Sequence, residues 1–148
     1  MSFELEIIPT QNSYLRPQNS MVYLELEDIL NIRDQVAMAY ADRFEIISPN
    51  GLMSALAAPR RSAFGAEAFP TLADKAGALV YGLIQNHPFW DGNKRIATEA
   101  LRLFIARNGA SLTADAPTLR NFTTTIARGE LRDRRLADWV GNHIEDRA

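Results

Sequence analysis

The sequence predicts an all-α fold: a single-domain helical bundle in which a motif loop joins two central helices. Three observations predict it. Apolar residues recur at helical spacing in several segments, a polar loop with one glycine separates the two most apolar of them, and the chain has 148 residues of which 47% are hydrophobic. A chain of this length buries roughly 68–70% of its unfolded surface, which is enough for one core.

The segments before the loop follow in order. Residues 21–43 carry apolar side chains near helical spacing and are predicted to form the first long helix. A break at residues 48–51 supplies capping residues for a short helix over residues 52–58, which Pro59 ends. Residues 60–70 are predicted to be a connector, after which Thr71 caps the helix that runs into the loop.

Beyond the loop, residues 96–105 are apolar over too wide an arc for a surface helix, so this helix should be central. The Asn108-Gly109 pair stops it, because glycine accepts the left-handed conformation. Two further helices are expected at about residues 117–128 and 135–146, and one small β-hairpin near residues 44–47.

The domain is predicted to span residues 23–148. Residues 1–22 are polar and loosely patterned, and they are expected to form an amino-terminal arm.

Composition limits the classes of function. A formal net charge of −2 and a pI near 5.7 give no general attraction to nucleic acid or to an anionic membrane, so neither is expected as a partner. No stretch approaches the roughly 20 apolar residues of a membrane-spanning helix, and the amino terminus lacks the pattern of a signal peptide. With no cysteine present, we expect a cytoplasmic protein.

The most informative stretch is His-Pro-Phe-Trp-Asp-Gly-Asn-Lys-Arg, residues 87–95. Pro88 disfavours the α conformation at His87, so the preceding helix should end there and leave the imidazole facing the loop. Histidine titrates near neutrality and suits proton abstraction, which makes His87 the candidate general base. The structural alternative is a histidine that merely caps the helix. At least one of Phe89 and Trp90 should fill the core.

The next four residues predict a phosphate site. Gly92 permits a positive φ, so consecutive backbone N–H groups can form an anion-binding nest. Asn93 is a good N-cap, and the helix that it opens presents unpaired N–H groups and a positive dipole end. Lys94 and Arg95 are cations in the first turn, where the dipole disfavours them. A bound anion would resolve that conflict.

Asp91 is the candidate metal ligand. Mg²⁺ is usually held by one or two carboxylates together with substrate phosphates. The alternatives are an Asx-turn or an ion pair with Arg95, and Glu99 could pair with Arg95 as well. One carboxylate does not establish a metal.

This motif resembles the signature of the Fic/Doc superfamily, and lysine after the asparagine makes it similar to the Doc, or death-on-curing, branch. The resemblance covers about residues 23–144. Similar stretches occur in order at residues 50–56, 76–95, 104–109 and 128–131.

The resemblance implies an enzyme that moves part of ATP onto a protein hydroxyl in the presence of Mg²⁺. By similarity, His87 is the base, Asp91 binds Mg²⁺, Gly92 and Asn93 form the anion pocket, and Arg95 clamps a phosphate. Relatives that transfer AMP typically have glycine at the position of Lys94. Lysine there accompanies a reversed ATP, which favours a kinase that transfers the γ-phosphate.

One departure within the motif keeps an alternative reaction open. Doc-like motifs often have alanine before the asparagine where this chain has Gly92, so AMP transfer (AMPylation) stays the alternative reaction. Ile96 and the amino-terminal arm also differ. A non-catalytic module that binds phosphate or protein is the second alternative, although degenerate relatives would lose the histidine or the arginine, and this chain keeps both.

The resemblance also predicts partners. Doc-like proteins are the toxins of toxin–antitoxin pairs, and their known kind of target is a translation elongation factor. Many Fic enzymes carry an inhibitory helix marked by serine or threonine, three residues, glutamate, then glycine or asparagine. No such match occurs here, so a separate antitoxin is expected.

Overall fold

The computed structural model describes residues 20–40 and 43–147, and within them the fold is a bundle of six α-helices with two small strand pairs. The helices are α1 (Leu26–Ala39), α2 (Pro49–Ala57), α3 (Leu72–Gln85), α4 (Asn93–Arg107), α5 (Ala116–Ala127) and α6 (Arg134–Asn142). A single 3₁₀ turn, Ala58–Arg60, follows α2. The predicted all-helical class is confirmed.

Three helices begin at side-chain caps that the sequence supplies. The Thr71 hydroxyl accepts from the Asp74 N–H at 3.0 Å, and the Asp74 carboxylate accepts from the Thr71 N–H, which forms a capping box at α3. Ser48 caps α2, with Pro49 in its first turn. Asp115 caps α5, and hydrogen bonds from Thr118 hold the pKa of that carboxyl below its ordinary value.

Helices α3 and α4 pack against each other, and their buried faces supply much of one continuous core. Helix α3 also packs against α2 and α6. The α2 contact is close, since a Cβ at Gly82 would lie 2.9 Å from the Cα of Ala55. The predicted loop between two central helices is therefore present, and it starts from the most heavily packed part of the bundle.

The hairpin predicted at residues 44–47 is wrong. Ile46 forms one isolated bridge with Phe89, because the N–H groups of Ile47 and Ser48 both donate to the carbonyl of Pro88. The partner of this segment is thus the motif loop, and no strand in the described part of the chain pairs with it.

The strand pairs of the described residues lie elsewhere. Strands β1 (Ser62–Ala63) and β2 (Ala66–Glu67) form a short antiparallel hairpin inside the predicted connector. Strands β3 (Ala110–Leu112) and β4 (Ile144–Asp146) pair antiparallel. The last helix, expected to reach residue 146, ends at Asn142 because β3 takes up the backbone groups that follow.

The first helix is shorter than predicted. The Glu25 N–H donates to Asp28 Oδ2 at 2.8 Å, and α1 starts at Leu26. The segment before it is tied to α4 instead: the Val22 N–H donates to Asn108 Oδ1, and Asn108 Nδ2 donates to the Val22 carbonyl, both at 2.9 Å. The predicted arm lies almost wholly outside the described residues, as do residues 41 and 42.

Among residues 20–40 and 43–147, one charged side chain is completely buried. Lys75 on α3 pairs with Glu67 and donates to the Pro59 carbonyl at 3.1 Å, while its ammonium group lies 5.6 Å from the centre of the Tyr23 ring. A buried cation is tolerated when it is paired and hydrogen-bonded, as here. The pair fastens the β1–β2 hairpin to α3.

None of the helices in the described part of the chain combines the length and the hydropathy that crossing a membrane requires.

Candidate functional site

The motif loop leaves α3 through a strained residue. Helix α3 ends at Gln85, and His87 then adopts a φ of +48°, a left-handed conformation that is uncommon for a residue with a side chain. Asn86 holds the turn against α2 by donating from Nδ2 to the Gly51 carbonyl at 2.9 Å. The result is a solvent-exposed His87 side chain at the end of a packed helix.

The loop is fastened from inside by Phe89 and Asn93. The Phe89 ring is fully buried, as predicted for at least one of the two aromatic residues. The Asn93 side chain accepts from the Phe89 N–H at 3.0 Å and donates to the Phe89 carbonyl at 2.9 Å. Asn93 is therefore not the N-cap that the sequence predicts: it is the first helical residue, and its amide closes the loop.

Gly92 takes the N-cap position of α4, with a φ of +80°. A Cβ on this residue would lie 2.7 Å from Cε1 of Phe44, which is buried. Gly92 therefore meets two separate demands, a left-handed backbone and close contact with an aromatic ring. The positive φ predicted from the sequence is confirmed.

The amino-terminal turn of α4 has no acidic side chain and no side-chain cap. The backbone N–H groups of residues 93–95 have no intrahelical partner, as in the first turn of any α-helix, and no side-chain cap takes their place. Lys94 and Arg95 stand exposed in this turn, against the dipole, as the sequence indicates. The Arg95 guanidinium carbon lies 3.8 Å from the centre of the Tyr40 ring.

Asp91 is exposed, and its Oδ1 accepts from the Gly92 N–H at 2.7 Å. Among the described residues, Asp91 forms no ion pair with Arg95, and Glu99 pairs with Arg102 at 3.6 Å instead. One carboxylate oxygen of Asp91 thus shapes the turn, and the other is not engaged by any described residue.

All six candidate residues line one cavity of about 800 Å³: His87, Asp91, Gly92, Asn93, Lys94 and Arg95. The end of α1 and one face of α5 complete its walls, with Tyr40 and Arg120 as contributors. The structure therefore brings the predicted set together around one space. A second cavity, of about 520 Å³, lies between α2, α3 and the start of α6 and contains none of the six.

The cavity is more basic than the protein as a whole. Four cationic side chains line it, Lys94, Arg95, Arg102 and Arg120, against two carboxylates, Asp91 and Glu99. The chain overall carries a net charge of −2. Clefts lined with one sign of charge concentrate ligands of the opposite sign, so this cavity favours an anion.

The sequence interpretation missed several residues of this cavity. Arg102 lies seven residues after Arg95 and therefore on the same face of α4, a spacing that was visible in the sequence. Tyr40 and Arg120 come from other helices, and only tertiary packing places them here.

The fit of a metal depends on Asp91. No group of three or more histidine or acidic side chains is arranged to hold a metal ion among residues 20–40 and 43–147. The donor set suits Mg²⁺ only if Asp91 supplies the carboxylate ligand and substrate phosphates and water supply the remaining ligands.

The outer side of the loop is also fixed by pairing. The Trp90 N–H donates to the Glu45 carbonyl at 2.9 Å, and the Arg43 guanidinium lies 4.5 Å from the centre of the Trp90 ring. Hydrogen bonds from Arg43 lower the pKa of the Glu45 carboxyl. The Trp90 side chain remains half exposed.

Comparison with known proteins identifies the family that the sequence matches. The model of the Fic/DOC family matches residues 23–105, which include the complete motif. A protein named Toxin Doc, from Mycolicibacterium smegmatis (strain ATCC 700084 / mc(2)155), is 38% identical over 93 residues, a span of 63% of this chain and 69% of that protein. Since the family model covers more than half of the sequence and this relative is matched over more than two thirds of its length, the chain belongs to the Fic/DOC family.

Proposed function

We propose that this protein is a Doc-like toxin that transfers the γ-phosphate of ATP to a hydroxyl side chain of a target protein. The observation that carries the proposal is the shared cavity, in which a candidate base, a free helix amino terminus and several cations surround about 800 Å³. Phosphoryl transfer needs little covalent chemistry from a protein, and it depends on positioning and on charge neutralisation.

In this mechanism His87 takes the proton of the acceptor hydroxyl, and the hydroxyl oxygen forms a bond to the γ-phosphorus. The bond from that phosphorus to the β–γ bridging oxygen breaks, and ADP leaves with the electron pair. The N–H groups of residues 93–95, with Lys94 and Arg95, stabilise charge on the phosphates. Mg²⁺, held by Asp91 and the phosphates, would supply further charge neutralisation.

Lys94 is the reason for favouring γ-phosphate transfer, since the resemblance associates lysine at this position with a reversed nucleotide. Gly92, the feature that points to AMP transfer, has another explanation in this chain. Its positive φ and its contact with Phe44 require glycine whichever group is transferred. Gly92 therefore says little about the reaction.

The decisive experiment incubates the protein with cell lysate, Mg²⁺ and ATP labelled at the α- or the γ-phosphate in parallel. Label incorporated into protein from the γ position alone is expected. Label from the α position would replace the kinase by an AMP-transferring enzyme. Label from neither position would leave the non-catalytic module as the better account.

His87→Ala is the matched control, because His87 is exposed and its replacement removes the imidazole without opening the core. General-base catalysis contributes about 10²–10⁴-fold, so incorporation should fall by that order. Undiminished incorporation would contradict the assignment of His87.

The relative's name supports a toxin, and the family resemblance implies an antitoxin partner. Expression of the chain alone should arrest growth, His87→Ala should relieve the arrest, and co-expression of the neighbouring open reading frame should restore growth. A translation elongation factor, the target that the resemblance implies, is the first protein to examine for incorporated label. Unimpaired growth on expression alone would count against a toxin.

A further inference from the structure

Arg95 is held in an unusual way for a cation that is expected to clamp phosphate. It stands in the first turn of α4, where the dipole is unfavourable, and among the described residues it forms no ion pair. Its guanidinium lies instead on the face of Tyr40, 3.8 Å from the ring centre. Something other than a carboxylate therefore fixes this side chain.

An aromatic face suits this task better than a carboxylate would. A carboxylate would occupy the in-plane N–H donors of the guanidinium and cancel its charge. A ring attracts the cation through its π face and leaves the five N–H donors in the guanidinium plane available. Those donors match the oxygens of a phosphate in a bidentate arrangement.

The position of Tyr40 adds to the argument. Tyr40 is the C-cap of α1, on a different helix from Arg95, and both residues line the cavity that contains His87. Its side chain is about two fifths exposed, so burial in the core does not account for its placement. The ring stands at the cavity wall with the guanidinium stacked on it.

We infer that Tyr40 is a positioning residue which holds the Arg95 guanidinium face-on, so that its edge is preset to bind the polyphosphate of the nucleotide. The inference rests on the proposed function for the identity of that nucleotide. The contact that the inference describes is between a phosphate chain and one arginine, so it can be tested without a nucleotide.

Inorganic tripolyphosphate is the probe, because it has no base and no group that is transferred to a target. Calorimetric titration of the full chain compares wild type with Tyr40→Leu, which removes the π face, and Tyr40→Phe, which keeps it. Loss of a partly exposed cation–π contact should weaken binding about three- to tenfold in Tyr40→Leu. Tyr40→Phe should restore wild-type affinity.

A double-mutant cycle with Arg95→Ala separates positioning from direct contact. If Tyr40 acts through Arg95, the double variant binds tripolyphosphate no more weakly than Arg95→Ala alone. Additive losses, an unchanged affinity in Tyr40→Leu, or no binding by wild type would each overturn the inference. Met38→Ala is the control, at an 89% exposed site near the end of α1 that does not line the cavity.

Two further results keep this inference distinct from the proposed function and from a structural role. Tripolyphosphate binding with the expected pattern, but no label transfer from ATP, would support the positioning role and refute the enzyme. Tyr40→Leu should unfold at nearly the wild-type temperature. A large fall in the unfolding temperature, together with weakened tripolyphosphate binding in both Tyr40→Leu and Tyr40→Phe, would refute the positioning role.

Discussion

Two constraints require glycine at position 92, one from the backbone conformation and one from a neighbouring ring, and substitutions can measure them separately. The φ of +80° at Gly92 disfavours any side chain, and the Phe44 ring leaves no room for a Cβ. Gly65 has a similar φ of +79° but no atom within 4 Å of the Cβ position. The two glycines therefore form a natural pair, with the same backbone demand and different surroundings.

Gly65→Ala should destabilise the fold by about 1–2 kcal/mol, the cost of a left-handed residue with a side chain. Gly92→Ala should cost about 1–3 kcal/mol more, since Phe44 must move. Urea unfolding of both variants measures the difference. Equal losses would show that the Phe44 contact is unimportant.

Asn93 provides a second prediction at this scale. Asn93→Ala leaves the N–H and the carbonyl of the buried Phe89 without their partners, and each unsatisfied group costs about 1–3 kcal/mol. We expect a lower unfolding temperature together with loss of label transfer. A variant that is as stable as wild type would contradict the fastening role.

Much of the candidate site could be predicted because residues 87–95 are contiguous, so their chemistry is visible before any fold is known. The N-cap position of Asn93 was predicted wrongly, since an N-cap and a loop fastener use the same residue type at nearly the same position. Tyr40 lies 55 positions before Arg95 in the chain, and no local pattern connects them.

At the scale of elements, close helix packing fixes where the motif loop begins. The contact between α2 and α3 depends on Gly82, which leaves space for Ala55. Gly141 in α6 is also helical, but a Cβ there would meet only Ala73, at an ordinary 3.9 Å. The two positions differ in packing and share the same secondary structure.

Gly82→Ala should destabilise the fold by about 1–3 kcal/mol because the clash involves backbone. Gly141→Ala should be neutral or stabilise by up to about 1 kcal/mol, since alanine favours helix. Thermal and urea unfolding provide the comparison. Stabilisation by both substitutions would mean that α2 can move away from α3 at little cost.

The helices were predictable from apolar periodicity and caps, while the strands were not. The segment near Ile46 has the composition of a strand, but its partner is the motif loop, about 40 residues later. Strand β4 was taken for helix because its partner, β3, lies more than 30 residues earlier. Strand pairing depends on backbone segments that are far apart in the sequence, and local sequence patterns carry no information about them.

For the molecule as a whole, one ion pair connects the start of α1 to the end of α4. Arg107 lies 2.9 Å from Asp28, whose other carboxylate oxygen accepts from the Glu25 N–H. The Arg107 hydrogen bond holds the pKa of Asp28 below its ordinary value. Because the folded pKa is the lower one, the stabilisation is present above the unfolded value, about 3.9, and is lost as the pH falls through the folded pKa.

Asp28→Asn should therefore lower stability at pH 7, by no more than about 1 kcal/mol for the ion pair itself. The gap between variant and wild type should begin to shrink below about pH 4, where Asp28 takes up a proton in the unfolded chain, and it should close only as the pH falls through the lower pKa of the folded protein. Urea unfolding from pH 3 to pH 7 tests this. A gap that stays constant across that range would show that Asp28 contributes no charge-dependent stability.

The two lysines of this chain should differ in their reactivity toward acylating reagents. The sequence contains fourteen arginines and two lysines. Lys75 is sealed inside the bundle against Glu67, whereas Lys94 is exposed at the mouth of the cavity. Apart from the α-amino group, an amine-selective acylating reagent should thus mark the folded chain at a single side chain, Lys94, and any ligand that fills the cavity should protect that amine from it.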